Sequence, residues 1–205
     1  MTRWYREKKR EHYYKEAKKV GYRARSAFKL KQIQNKFHIF SKGDIVLDLG
    51  AAPGGWSQVV QEYVGEEGTV VGVDLLPIEP LDNVEFLQGD ITKEEVIEEM
   101  KQMLHTKNVD VVLSDMSPNI SGTYSIDQAR SLFLCEKALE VAKEALKPKG
   151  NFVCKLFEGE DKEPFIKKIK RNFYIVKIFS PEASRKSSSE IYIIAKSFKK
   201  GEKYK

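Results

Sequence analysis

With only two cysteines and three histidines in 205 residues, the chain has little to build disulfides or metal sites from. Cys135 and Cys154 form no CxxC and no disulfide framework, so both read as small buried hydrophobes in a reducing compartment. His12, His38 and His105 are scattered and show no zinc-like spacing, so no metal is expected. No apolar run approaches the length of a membrane span. The N-terminus is basic but lacks the apolar stretch of a signal peptide. A cytoplasmic protein with no membrane partner is expected, and its length fits one domain with a full core.

Positive charge is present, and it is unevenly placed. Residues 1–36 hold 13 Lys+Arg against 3 Asp+Glu, a balance of +10, so a net charge of +6 leaves −4 for the rest. Trp4, Tyr5, Tyr13, Tyr14 and Tyr22 are interleaved with those cations. A solvated charged helix would explain the charge alone. The aromatics tilt the reading towards RNA, because bases stack on rings while phosphates meet the cations. Residues 1–36 are therefore read as a basic helical extension, and residues 37–205 as the main domain. Lys167, Lys168, Lys170 and Arg171 are a second place where RNA could dock.

Residues 3–19 read as a polar helix. A second starts at Ser26, a plausible N-cap, with Phe28, Leu30, Ile33 and Phe37 on its apolar face. Strands and helices then alternate. "DIVLDL", "TVVGVDL", "VEFLQGD", "VDVVLSD" and "NFVCKLF" are apolar, β-branched runs suited to a buried parallel sheet. Helices are expected over 56–64, 93–104, 127–147 and 161–172, the third stopped by "PKG". "YIVKIFS" and "EIYIIAKSF" are joined without a helical pattern, which makes them antiparallel neighbours. The whole reads as an α/β doubly wound sheet.

Ligands of such sheets bind beyond the carboxyl ends of the strands. The first turn reads G-A-A-P-G-G over residues 50–55, which is neither a dinucleotide G-x-G-x-x-G nor a phosphate-binding GxxxxGK[ST]. Pro53 also removes an N–H that a phosphate cradle would use. Asp74 ends strand two, 24 residues after Gly50 and near the ~20-residue offset of a ribose-binding acid. Asp90 ends strand three, where a carboxylate can reach an adenine amino group. Each acid alone could merely cap a turn. Together with the glycine turn they describe an adenosine ligand without pyrophosphate, and S-adenosylmethionine (SAM) fits that description.

Strand four ends in "SDMSPN". A base-directed amino methyltransferase places Pro-Pro-aromatic there, and a cytosine-C5 enzyme needs Pro-Cys; Met116, Ser117, Pro118 and Asn119 supply neither. Asp115 puts a carboxylate at the ligand's reactive end. Lys155 sits in the apolar "FVCKLF" at the same edge of the sheet, either snorkelling or functional. Lys29 and Glu190 are individually weak signals.

The stretches "YRARSAFKL", "LDLGAAPGGWSQ", "DLLP", "FLQGD", "SDMSPNISG", "FVCKLFEGE" and "SRKSSSEIYIIA" occur in the order of the FtsJ (RrmJ) ribose 2′-O-methyltransferases, which the chain resembles over nearly its whole length. The resemblance implies a Rossmann-like SAM-dependent fold, with a mostly parallel seven-stranded sheet and an antiparallel final strand. It places the family's Lys-Asp-Lys-Glu tetrad on Lys29, Asp115, Lys155 and Glu190, and its SAM contacts on Gly54, Trp56, Asp74, Asp90 and Asp115. It implies a monomer that methylates a uridine ribose in ribosomal RNA of the large subunit. The opening segment also resembles the branch that acts on a tRNA anticodon loop. Lys155 would contact the 2′-OH, as a base if neutral or as an orienting charge if protonated. The rival readings are a non-catalytic RNA-binding SAM-fold protein and a nicotinamide oxidoreductase. Arg3 to Arg25 lie far in sequence from every expected SAM contact, so their loss is expected to spare SAM affinity.

Overall fold

The computed structural model describes residues 13–104, 108–184 and 189–201. Seven strands form one sheet: β1 Ile45–Leu49, β2 Thr69–Asp74, β3 Val84–Gln88, β4 Val109–Ser114, β5 Leu146–Phe157, β6 Phe173–Phe179 and β7 Glu190–Phe198. Their order is β3-β2-β1-β4-β5-β7-β6. The pairs from β3 across to β5 are parallel. β7 runs antiparallel to both β5 and β6, so the last strand of the chain lies inside the sheet and β6 takes the edge. This is the mostly parallel α/β sheet expected from the alternating pattern.

Five helices, α1 Ala27–Phe37, α2 Gly55–Val64, α3 Glu94–Met103, α4 Tyr124–Ala145 and α5 Lys162–Asn172, cover the sheet, and residues 13–20 are also helical. Strand side chains alternate between faces. Leu47, Leu49, Val71, Val73, Val112, Phe152, Cys154, Leu156 and Ile193 pack with Met100, Leu139 and Phe165, side chains of α3, α4 and α5. Val46, Val70, Val111, Leu113, Val153, Tyr192 and Ile194 pack with Leu30, Ile33, Trp56 and Val59 of α1 and α2. Both faces are covered, which is why these strands read as continuous apolar runs.

Two local expectations change. α4 starts at Tyr124 and stops at Ala145, and "LKPKG" is taken into β5 instead of ending a helix. Pro148 cannot extend a helix, Lys149 turns to φ 66°, and the ladder to β4 slips between Val109↔Leu146 and Val111↔Asn151. Ser26 holds the N-cap position of α1 but makes no side-chain cap, because its backbone is already helical at φ −61°, ψ −21°. In the basic segment, Arg3, Trp4, Tyr5, Arg6, Lys8, Lys9 and Arg10 lie outside the described residues. From Ala17 onward the segment shares a core with the sheet: Ala17, Tyr22, Ala27, Leu30 and Ile33 are buried against Val59 and Val60.

Candidate active site

The polar site grows from the same period of two that builds the sheet. On β4 and just past it, Leu113 and Asp115 share a face; on β5, Val153 and Lys155; on β7, Ile194, Tyr192 and Glu190. All point into the α1/α2 layer, whose apolar members are Leu113, Val153, Tyr192 and Ile194. Register aligns them. Ser114 pairs with Cys154, so Asp115 and Lys155 follow side by side, and Lys155 pairs with Tyr192. Lys29 enters from α1.

The structure brings the four expected residues together. Lys155 Nζ lies 3.0 Å from Asp115 Oδ1 and also donates to the Asp115 carbonyl. Lys29 Nζ forms a close ion pair with Glu190 Oε1. Both lysines are buried. Burial pushes the Glu190 carboxyl up, but the charge and hydrogen bond of Lys29, with smaller help from Ser184 and Lys155, hold it below the ordinary glutamate value. Cys135 Sγ, on α4, donates to the Lys155 carbonyl at 2.8 Å and fixes the strand from the opposite face. Cys135 and Cys154 are both buried.

Tyr192 joins the two pairs, and reading the sequence alone misses it. Its hydroxyl donates to Asp115 Oδ1 at 2.8 Å, and Lys29 Nζ stands 5.8 Å from its ring centroid. Burial, with the negative charges of Asp115 and Glu190, pushes its phenol well above the ordinary range, so it remains a donor. Its position two residues after Glu190, on the same face, is the signal the sequence offers.

The glycine turn lies beside this cluster. Gly50 has φ 78°, and a Cβ there would meet the Met116 backbone at 2.9 Å, so the turn and the β4–α4 loop approach as only glycine permits. Gly54, at φ 103°, precedes the first turn of α2. Asp74 accepts from Ala52 N on Oδ2 and from Leu76 N on Oδ1, both at 2.9 Å, and so ties the glycine turn to the loop after β2. Asp90 accepts from the Thr92 amide and hydroxyl, both on Oδ1, which hold its carboxyl below the ordinary aspartate value. The Trp56 side chain is buried, with its ring 5.8 Å from that of Tyr192 and its Nε1 donating to Ser26 O at 2.9 Å. As the second residue of α2, it carries a backbone N–H in the first helical turn, which leaves such groups without an intrahelical partner.

Asp48 is a further buried acid of this layer. Its Oδ2 accepts from Ser57 Oγ at 2.8 Å, and its Oδ1 has no hydrogen-bond partner. Burial pushes its carboxyl to about 7; the Ser57 bond opposes this, and the charges of Asp115 and Asp74 add to it.

The FtsJ-like methyltransferase family model matches residues 22–198. The chain belongs to the FtsJ-like methyltransferase family. A Methanocaldococcus jannaschii relative named ribosomal RNA large subunit methyltransferase E is 49% identical over 200 residues, spanning 96% of this chain and 82% of its own. A Marinobacter nauticus protein of the same name is 46% identical over 198 residues, 97% of this chain and 96% of its own. Among solved structures, one described as a ribosomal RNA methyltransferase from Plasmodium falciparum superposes with a TM-score of 0.78 at 30% identity, over 86% of this chain and 98% of that one. The FtsJ-like match begins at Tyr22, within the basic segment, and so takes in Lys29 as well as the sheet residues of the cluster. Among the described residues no group of three or more His, Cys, Asp or Glu could hold a metal ion, and no helix is long and apolar enough to cross a membrane.

Proposed function

We propose that this FtsJ-like methyltransferase transfers a methyl group from SAM to the ribose 2′-oxygen of a uridine in large-subunit ribosomal RNA. The observation that carries the reading is the convergence of Lys29, Asp115, Lys155 and Glu190 onto one cluster beside the glycine turn, with both lysines buried. The names of the relatives support the ribosomal substrate.

The residues of the turn fit the cofactor. Gly50 and Gly54 let the turn pack against Met116 and Arg23 more closely than a Cβ would allow, Asp74 offers a carboxylate to ribose hydroxyls, and Asp90 offers one to the adenine amino group. Gly54 and Trp56 contribute backbone, and Asp115 closes the reactive end. When bound, SAM supplies a methyl group already activated on a sulfonium. The protein aligns the 2′-oxygen with it, and alignment of this kind can be worth up to ~7–11 kcal/mol of barrier. Lys155 contacts the 2′-oxygen and balances the charge that develops there. Asp115 holds Lys155 and is itself held by the Tyr192 hydroxyl, while the Lys29–Glu190 pair stands on the other side of Tyr192. A ribose target explains why "SDMSPN" lacks the aromatic that a base would stack on. The same proposal has the protein act in the cytoplasm, as a monomer, on the large subunit or its RNA.

The test is product mapping. The protein, labelled SAM and either large-subunit RNA or tRNA transcripts are combined, and ribose methylation is read nucleotide by nucleotide. A single 2′-O-methyluridine in the ribosomal RNA is expected. Label confined to tRNA, or carried on a base, would overturn the proposal.

A further inference from the structure

Arg23 belongs to the basic segment, where its charge suggests a phosphate partner. The structure spends it on carbonyls. Its backbone amide donates to Gln58 Oε1 at 2.8 Å, and Gln58 Nε2 donates to Gly21 O at 3.0 Å, which pins residues 21–23 onto α2. From that anchor the guanidinium spans two loops. Nη1 donates to Pro53 O at 3.3 Å and also to Glu79 O, and Nη2 donates to Pro80 O at 2.7 Å.

Pro53 lies in the glycine turn. Glu79 and Pro80 lie in the β2–β3 connection, which leaves directly from Asp74. These are the loops that Asp74 ties from the inside through Ala52 N and Leu76 N. Arg23 ties them from the outside. A Cβ on Gly54 would come within 3.1 Å of Arg23 Nη1, so the clasp lies against the turn itself. A planar fork can reach three carbonyls on two loops at once, whereas a lysine ammonium is a single point of attachment.

We propose that Arg23 is a positioning residue for the cofactor, setting the gap between the glycine turn and the β2–β3 loop. This rests on the reading that those two loops hold SAM. It also revises the expectation that loss of residues 1–25 spares SAM affinity: residues 21–23 are part of the cofactor pocket's frame, and Arg23 is not one of the cations left for RNA.

The test compares full-length wild type, Arg23→Ala and Arg23→Lys, all without RNA. Amide hydrogen exchange is followed in the cofactor-free proteins, SAM binding by calorimetry, and thermal unfolding as a control. In Arg23→Ala, residues 75–83 should exchange faster while β1, β4 and β5 keep their protection, and the Kd for SAM should rise about tenfold, the loss of one well-made hydrogen-bonding group. Arg23→Lys should fall between the two. Equal SAM affinity in wild type and Arg23→Ala would overturn the proposal, whatever the exchange shows. Faster exchange throughout the sheet with a lowered melting temperature would overturn it too, by making the role a general structural one. Failure of wild type itself to bind SAM would overturn the cofactor reading, and this proposal with it.

Discussion

The two faces of the sheet are built from the same strands and do different work. On β5, Cys154 and Leu156 point into the layer of α3, α4 and α5, while Val153 and Lys155 point into the layer of α1 and α2. Among the described residues, no strand residue buried on the first face is charged. The second face buries Asp48 and Lys155 from the strands and takes Lys29 from α1. One face supplies cohesion. The other trades some cohesion for charged groups held in fixed relation by Tyr192, Asp115 and Glu190. Because alternation alone separates the two, a one-residue change of address along β5 is a change of role.

The contrast breaks hardest on the apolar side. Phe152 is fully buried, with its ring 6.1 Å from that of Phe173, and Phe152→Ala should destabilise folding by about 3–5 kcal/mol in denaturant titration. At temperatures where the variant stays folded, its SAM affinity should match wild type; a specific loss there would show that the faces are not separable. Next in size is Asp74→Ala, which removes both a ribose acceptor and the inner tie between two loops. Calorimetry should show SAM binding weakened by about 1–3 kcal/mol, and unchanged affinity would remove Asp74 from the site.

Asp48 separates the two faces by pH. Its folded carboxyl titrates at about 7, above the usual value of about 4. Between those values the native state binds more protons than the unfolded one, so this group's contribution to stability falls as pH rises through the window and is level above it. Asp48→Asn should therefore gain melting temperature relative to wild type from pH 4 to 7, with no further gain beyond. A constant difference across that range would mean that Asp48 titrates normally.

The smallest effect concerns RNA. Deleting residues 1–12 removes Arg3, Arg6, Lys8, Lys9 and Arg10 without touching the Arg23 clasp. For every phosphate that the shortened protein no longer neutralises, the log-affinity against log-salt slope should become shallower by about 0.7–0.9. An unchanged slope would turn attention to Lys167, Lys168, Lys170 and Arg171 on α5.

What the sequence disclosed follows from locality. β1, β2 and β4 are short β-branched runs, and the glycine turn declares itself because Gly50 and Gly54 need backbone angles that other residues avoid. The cluster at Lys29, Asp115, Lys155 and Glu190 is reached through resemblance, since Lys29 and Glu190 look like surface charge when read alone. The rest depends on contacts between distant parts of the chain. Arg23 meets Glu79 and Pro80 only once residues 21–23 are laid on α2. Tyr192 meets Asp115 only because β7 inserts beside β5. Trp56 is named from resemblance as a cofactor contact, and its indole meets Ser26 and Tyr192 once α1, α2 and β7 are packed together. Of these residues only Tyr192 leaves a periodic trace, its spacing of two from Glu190.

In the proposed reaction the charged face performs methyl transfer at a ribose oxygen held by Lys155. Single-turnover methylation of large-subunit RNA by wild type and Lys155→Ala, run beside SAM calorimetry on both, tests it most directly. Equal SAM affinity and equal folding are expected, with a rate lower by roughly 10²-fold or more in the variant. A near-normal rate in Lys155→Ala would contradict it.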